Sequence, residues 1–429
     1  MSFYRSWIGG GGEAVKKYTS SLVDDVEIAE ATVEVLKAHV RHLAEVKAIP
    51  KEAAEAIEKA LGEVRYEELV GGGFEDIHEA LEKWLVDRLG PETAGWVGLG
   101  RSRNDHVAAA IRLTALRKAA EVKKAAAGLI CVLVEKALQY RDCPMPSFTH
   151  FQPAQVVTYG HYLLAVAELT EEFLQLLDSV EWLLYKSPLG AGPAGGVKTP
   201  IDREALAREA GFKAVVENAL YASGGRLFAL ALASTTVSYL AELSRAVDDF
   251  IRWSSPVVGY IEPPLSHVST SSIMPHKKNP VTLEVFRARS GEAVGHLMAM
   301  FTIVSKIGLG YSLDLQEATR HLWAVLKIVK EGLEVLTEFI KEARFNCQKA
   351  REDAEAYFTT SSDTVEIKAL AGVPFRIAYF QLAEEIKRGQ AELLTVEEAL
   401  QRPTKGSASP KKVEETAAKY LPLCLPRPL

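Results

Sequence analysis

The sequence predicts an all-α protein, and three observations carry that prediction. Strand-like alternation is scarce, long stretches are rich in Ala, Leu, Glu and Lys, and the Gly/Pro-rich breaks fall between those stretches. At 429 residues the chain exceeds the size at which one core stops growing, so several domains are expected. Hydrophobic residues make up 48% and charged residues 25%, with a net charge of -6, the profile of a globular protein without a basic field. Nucleic acid is therefore not expected as a partner. The opening MSFYRSWIGGGGEAVKK is glycine-rich and polar rather than basic and then apolar, so secretion is not expected, and the cysteine usage fits a reducing cytoplasm. Cys131, Cys143, Cys347 and Cys424 show no CxxC spacing and no Cys/His cluster, so neither a disulfide framework nor a zinc site is expected.

Taken in order, the segment from His106 to Tyr140 is an alanine-rich helix. From Val166 to Leu183 the apolar positions Val166, Leu169, Phe173, Leu176, Val180 and Leu183 alternate spacings of three and four, a seam along one side of a helix. Leu227 to Trp253 is nearly apolar all round, but Ser234, Thr235, Thr236, Ser238 and Glu242 interrupt it, so a buried helix is expected and not a membrane span. Glu284 to Lys306 and Gln316 to Arg344 complete a central bundle of five long helices. Residues 1–100 then form an N-terminal helical domain broken at GGGF (71–74), 101–344 the bundle domain, and 345–429 a C-terminal domain of smaller helices. Apolar seams need neighbours, so an oligomer is expected.

The unusual residues sit at the joints, where binding groups concentrate. GLGRSRNDH (98–106) sets Arg101 and Arg103 beside Asn104 and Asp105, a pattern that suits carboxylates on a ligand, although taken alone a helix cap with local ion pairs is the commoner meaning. In SFTHFQPAQ (147–155), Thr149 and His150 precede Pro153, which reads as a helix start; an imidazole there can exchange a proton near neutral pH or serve packing. The remaining histidines, His39 and His42 among them, lack acidic or cysteine partners at metal spacing, and no metal is expected. TSSIMPHKKNP (270–280) follows no helix or strand period. It could be a connector leading into the next helix, but a connector does not need Ile273 and Met274, which look buried, between hydroxyls and cations, whereas a mobile loop that closes over an anion would.

TSSIMPHKKNP resembles the signature loop of the fumarase/aspartase superfamily. With it, TSSL (19–22), GRSRND, FTHFQPAQ, SPLGAG and DLQE (314–317) are together similar to the argininosuccinate lyase family. The resemblance implies three domains, a homotetramer with a core of twenty helices, and active sites assembled from three subunits. It implies reversible elimination of argininosuccinate to fumarate and arginine without a cofactor. Ser271 would be the base, Lys277 and Asn279 would hold the carboxylate on which charge builds, and His150 with Thr149 would serve the departing guanidinium, with Glu284 orienting the imidazole. Ser21, Asp25, Arg103, Asn104, Tyr311 and Gln316 would bind substrate, with Arg101 and Ser102 ranked lower.

Four positions depart from that family's pattern. Thr270 replaces a glycine before the paired serines, and His276 stands where glutamine is usual, as in adenylosuccinate lyases. Thr319 replaces a substrate-contacting lysine, with Arg320 next to it, and YASGGRLF (221–228) keeps Arg226 without its usual acidic neighbours. An adenylosuccinate-cleaving relative and a non-catalytic, crystallin-like homologue are the alternatives these departures leave. The composition is also compatible with a heat-tolerant source.

Overall fold

The computed structural model describes residues 12–70 and 73–424; residues 1–11, Gly71 and Gly72 of the GGGF break, and the end of LPLCLPRPL lie outside them. The chain divides into two compact units. The first comprises Met1–Glu121, Leu176–Val237 and Ala293–Lys327; the second comprises Val122–Gln175, Ser238–Glu292 and Ile328–Leu429.

Helices dominate both units. The longest are α1 (Arg103–Gln139), α2 (Tyr159–Leu184), α3 (Leu227–Trp253), α4 (Val281–Val304) and α5 (Asp314–Glu342), close to the bounds that periodicity predicts. Two of the starts show a local cause. For α1, the Ser102 hydroxyl accepts the Asn104 N–H at 3.2 Å while the Asp105 carboxylate accepts the Ser102 N–H at 2.9 Å, a reciprocal cap of otherwise unpaired amides. In α5, Asp314 and Glu317 place negative charge in the first turn, where the helix dipole favours it. By length and composition α3 could cross a membrane, yet Phe228, Leu232, Leu240, Leu243, Val247 and Phe250 along it are buried within the protein.

One element differs from expectation. SFTHFQPAQ does not start a helix at Pro153; it forms an antiparallel hairpin of β1 (Pro144–Thr149) and β2 (Gln152–Thr158), and α2 begins only at Tyr159. Prolines at 144, 146 and 153 resist helix, and an isolated pair of edge strands tolerates them beside the β-branched run Val156, Val157, Thr158. Thr149 pairs with Gln152, leaving His150 and Phe151 as a two-residue turn with φ of 54° and 60°. Glycine or asparagine usually fills such turns.

The C-terminal segment holds this hairpin in place. Val156 is fully buried in a cluster with Ala354, Val396 and Leu400, and its N–H donates to the Thr359 carbonyl at 3.1 Å. Its carbonyl accepts from Arg402 at 2.8 Å, and the same guanidinium forks onto the buried Asp363 at 2.7 and 2.8 Å. Just beyond the hairpin, Tyr159 stacks on Phe345 with ring centroids 3.8 Å apart.

The cysteines overturn the expectation of no disulfides. Cys131 is bonded to Cys424 and Cys143 to Cys347, across 293 and 204 residues of sequence, with Cα atoms 5.3 Å apart in each pair. Spacing motifs detect only partners close in sequence, and here the fold alone brings the thiols together. Cross-links over such long loops restrict the unfolded chain, a stabilisation of about 2–5 kcal/mol each. Denaturant titration should show the Cys143→Ser/Cys347→Ser protein losing stability in that range, with the native protein losing about twice as much on reduction, which opens both bonds. Midpoints insensitive to both would contradict the linkage.

Candidate active site

In the first unit, segments far apart in sequence meet around a cleft of about 130 Å³. Its walls include Ser21 and Asp25 before the first long helix of the N-terminal region, Arg103 and Asn104 in the first turn of α1, and Tyr311 and Gln316 at the start of α5. All six substrate-binding candidates therefore share one cleft. The Gln316 amide donates to the Thr19 carbonyl at 3.1 Å, tying residues 297 positions apart.

Local bonding explains each placement. Asp25 is buried and accepts from the Ser21 hydroxyl and the Ile77 N–H, both at 2.9 Å. Burial raises its carboxyl to about 7 despite those donors. Arg103 pairs with Asp76 at 2.8 Å and reaches Glu75 at 3.5 Å. Arg101 turns away onto Glu82 at 2.7 Å, and Ser102 caps α1, so the GRSRND loop is both cap and cleft wall. Asp105 reaches back to the glycine-rich loop, accepting the Gly192 N–H at 2.9 Å. Gly192 has φ of 60°, and a Cβ there would lie 2.8 Å from Val197, so glycine is required.

Several cleft residues escape motif reading. Asp24, Glu75, Asp76 and Trp323 line it, as do Thr319 and Arg320, the pair at which this chain departs from the family pattern. Arg320 also pairs with Glu317. The cleft thus offers carboxylates for a cation and guanidiniums and amides for anions, a lining that suits a ligand bearing both charges.

The proton-transfer candidates line none of this cleft and lie in the second unit. Thr149 and His150 are exposed at the hairpin tip. Ser271, Lys277 and Asn279 belong to a loop whose neck is closed by two backbone bonds between Ser269 and Asn279, at 2.9 and 3.0 Å. The Ser271 oxygen accepts the N–H groups of Ile273 and Met274, both at 3.3 Å. Ile273 is 83% exposed and Met274 39%, so the expectation that they are buried does not hold for the single chain. Glu284, in the first turn of α4, is exposed as well.

Among the other histidines, His39, His78 and His106 are buried and held neutral by burial, His39 near 3 and His78 near 4, in keeping with packing roles. His42 does have acidic neighbours, Glu45 one turn along the same helix and Glu209, which the sequence spacing hides. The Asp202 N–H donates to its Nε2 at 3.1 Å, which puts the ring proton on Nδ1, toward Glu45, and leaves no lone pair there for a metal. Glu209 is paired with Arg41.

The chain matches a family model described as lyase over residues 12–295. The argininosuccinate lyase of Pyrobaculum islandicum is 68% identical over 429 residues, covering 100% of both chains, and that of Pyrococcus furiosus is 38% identical, covering 96% of this chain and 93% of the relative. Among solved structures, an EDDS lyase variant with bound fumarate matches with a TM-score of 0.82 at 23% identity, covering 92% of this chain and 86% of that one. A class II fumarase from Schistosoma mansoni matches with a TM-score of 0.74 at 18% identity, covering 92% and 91%. The chain belongs to the lyase family and, within it, to the argininosuccinate lyases.

Folded Asp25 keeps its proton up to about pH 7, whereas the unfolded carboxyl ionises near 3.8. The folded form binds more protons between those values, so this group's contribution to stability falls as pH rises through that window. Asp25→Asn should remove the fall, gaining stability relative to the parent at pH 8 over pH 4 in urea titrations. An unchanged difference between the two pH values would contradict the burial argument.

Proposed function

We propose that this protein catalyses the reversible elimination of argininosuccinate to fumarate and arginine. The observation that carries the reading is the single cleft lined by Ser21, Asp25, Arg103, Asn104, Tyr311 and Gln316, gathered from both ends of the first unit in a chain 68% identical to an argininosuccinate lyase. Argininosuccinate carries a guanidinium and several carboxylates. The acids Asp24, Asp25 and Asp76 suit the former, and Arg103 and Arg320 suit the latter. A bound guanidinium beside Asp25 would draw its carboxyl back into the ionised form.

The proton to be removed lies next to a carboxylate and is weakly acidic until the developing dianion is stabilised. Ser271 takes it. A serine is a base only as alkoxide, and the two backbone N–H groups aimed at its oxygen favour that form. Lys277 and Asn279 hold the carboxylate where charge accumulates, a task for a cation and a donor without metal. His150, with Thr149, returns a proton to the leaving guanidino nitrogen directly or through water, and Glu284 orients the imidazole. Ile273 and Met274 cover the reacting atoms when the loop closes.

The same reading supplies the assembly. Val294, Met298 and Phe301 leave an apolar face of α4 exposed on the single chain, which supports packing against other copies. We assign a homotetramer built on the five long helices of each copy, three domains at 1–100, 101–344 and 345–429, and active sites shared between three subunits. We place the enzyme in the cytoplasm. The disulfides agree with that location if the source is hyperthermophilic, since intracellular proteins of such archaea carry them.

The test is release of fumarate, followed by absorbance, from argininosuccinate and separately from adenylosuccinate. Signal with argininosuccinate alone is expected; signal with adenylosuccinate alone would transfer the reading to the enzymes that share His276, and signal with neither would favour a structural homologue. Ser271→Ala should cut kcat by about a thousand-fold or more with the fold intact by circular dichroism. Near-normal turnover in that variant would remove Ser271 as the base. A tetrameric mass in solution is expected, and a monodisperse monomer would contradict shared sites.

A further inference from the structure

The first unit holds a second, larger cavity of about 800 Å³ that the proposed reaction does not use. Its lining includes Arg112 of α1, only 3% exposed. The guanidinium lies over the Phe228 ring at 3.9 Å and donates from Nη1 to the Leu183 carbonyl, while its buried Nε has no partner. No carboxylate pairs with it among the described residues. The charge beside it is another arginine, Arg226, buried and with Nε and Nη2 also unpartnered. Burial pushes the two guanidiniums down, to about 9 and about 10, and their mutual repulsion adds to the effect at Arg112.

A buried cation beside a like charge is unfavourable unless an anion joins it. The surroundings favour that anion. Lys186, Arg208 and Lys213 line the cavity with Arg112, against Glu204 and Glu217. Flat apolar surface is also present. Trp182 is 55% exposed and Tyr221 40% exposed, and both line the cavity.

We propose that this cavity binds a small oxyanion carried on a flat ring, such as an aryl phosphate, with Arg112 as the buried anchor, Arg208 and Lys213 as the outer cations, and Trp182 and Tyr221 as the surface for the ring. The charged head reaches the fork that Leu183 leaves half satisfied, and the ring stacks in the apolar part of the cavity.

Calorimetric titration of the intact protein with phenyl phosphate, inorganic phosphate and phenol tests this. Phenyl phosphate is expected to bind most tightly, inorganic phosphate more weakly and phenol not measurably, with affinity falling as salt rises. Arg112→Met should weaken phenyl phosphate by about ten-fold or more. Because that substitution also alters the interior, Lys213→Met, on the exposed surface, serves as the second variant and should weaken it about three-fold. No binding of either anion at millimolar concentration, or binding unaffected by both substitutions, overturns the site. Equal affinity for phosphate and phenyl phosphate overturns the ring assignment.

Discussion

The candidate cleft depends on one buried carboxylate. Asp105 accepts the Ser102 N–H on one side and the Gly192 N–H on the other, so it fixes the start of α1 to the glycine-rich loop after α2. Burial raises its carboxyl to about 6, yet two fixed amides and the nearby Arg101 favour the charged form. From this anchor the next-door side chains diverge by necessity: Arg101 goes to Glu82, and Arg103 and Asn104 go to the cleft. A helix that began one residue later would present a different pair.

The candidate reactive groups sit where regular structure stops. The helices satisfy their own amides in mid-span, leaving free donors and acceptors at their ends and in the joints. The cleft is built from the starts of α1 and α5, and Ser271 sits in a necked loop ahead of α4. His150 occupies a hairpin tip where two non-glycine residues in sequence adopt positive φ. Such a conformation costs on the order of 1–3 kcal/mol per residue and persists only where the surroundings enforce it. The buried Val156, the Arg402–Asp363 fork and the Cys143–Cys347 bond supply that enforcement.

The helices were legible because their signal is periodic and local: α3 spans the residues Leu227 to Trp253 that apolarity alone marks out. Six scattered candidates for substrate binding could be named because ordered motifs constrain one another, and the fold gathers all six around one cleft. What was hidden is non-local. The hairpin was masked by the helix-like preference for Pro153 ahead of an apolar run, and the disulfide partners have no mutual spacing to read. Glu75 and Asp76 carry no motif of their own; ion pairs with Arg103 and the bond from the Ser21 N–H to the Glu75 carbonyl bring them to the cleft. The apparent burial of Ile273 and Met274 came from composition, which does not distinguish a core from a surface that another molecule covers.

The proposed mechanism can be tested by a crystal structure of the Ser271→Ala protein soaked with argininosuccinate, in which chemistry is blocked and the substrate persists. The proposed mechanism predicts substrate density in the cleft, its guanidinium against Asp25 and its carboxylates against Arg103 and Arg320. It also predicts His150 and the 269–279 loop of neighbouring subunits closing on the bond to be broken. Density confined to another part of the surface, with Asp25 and Arg103 still bonded only to their present protein partners, would contradict it.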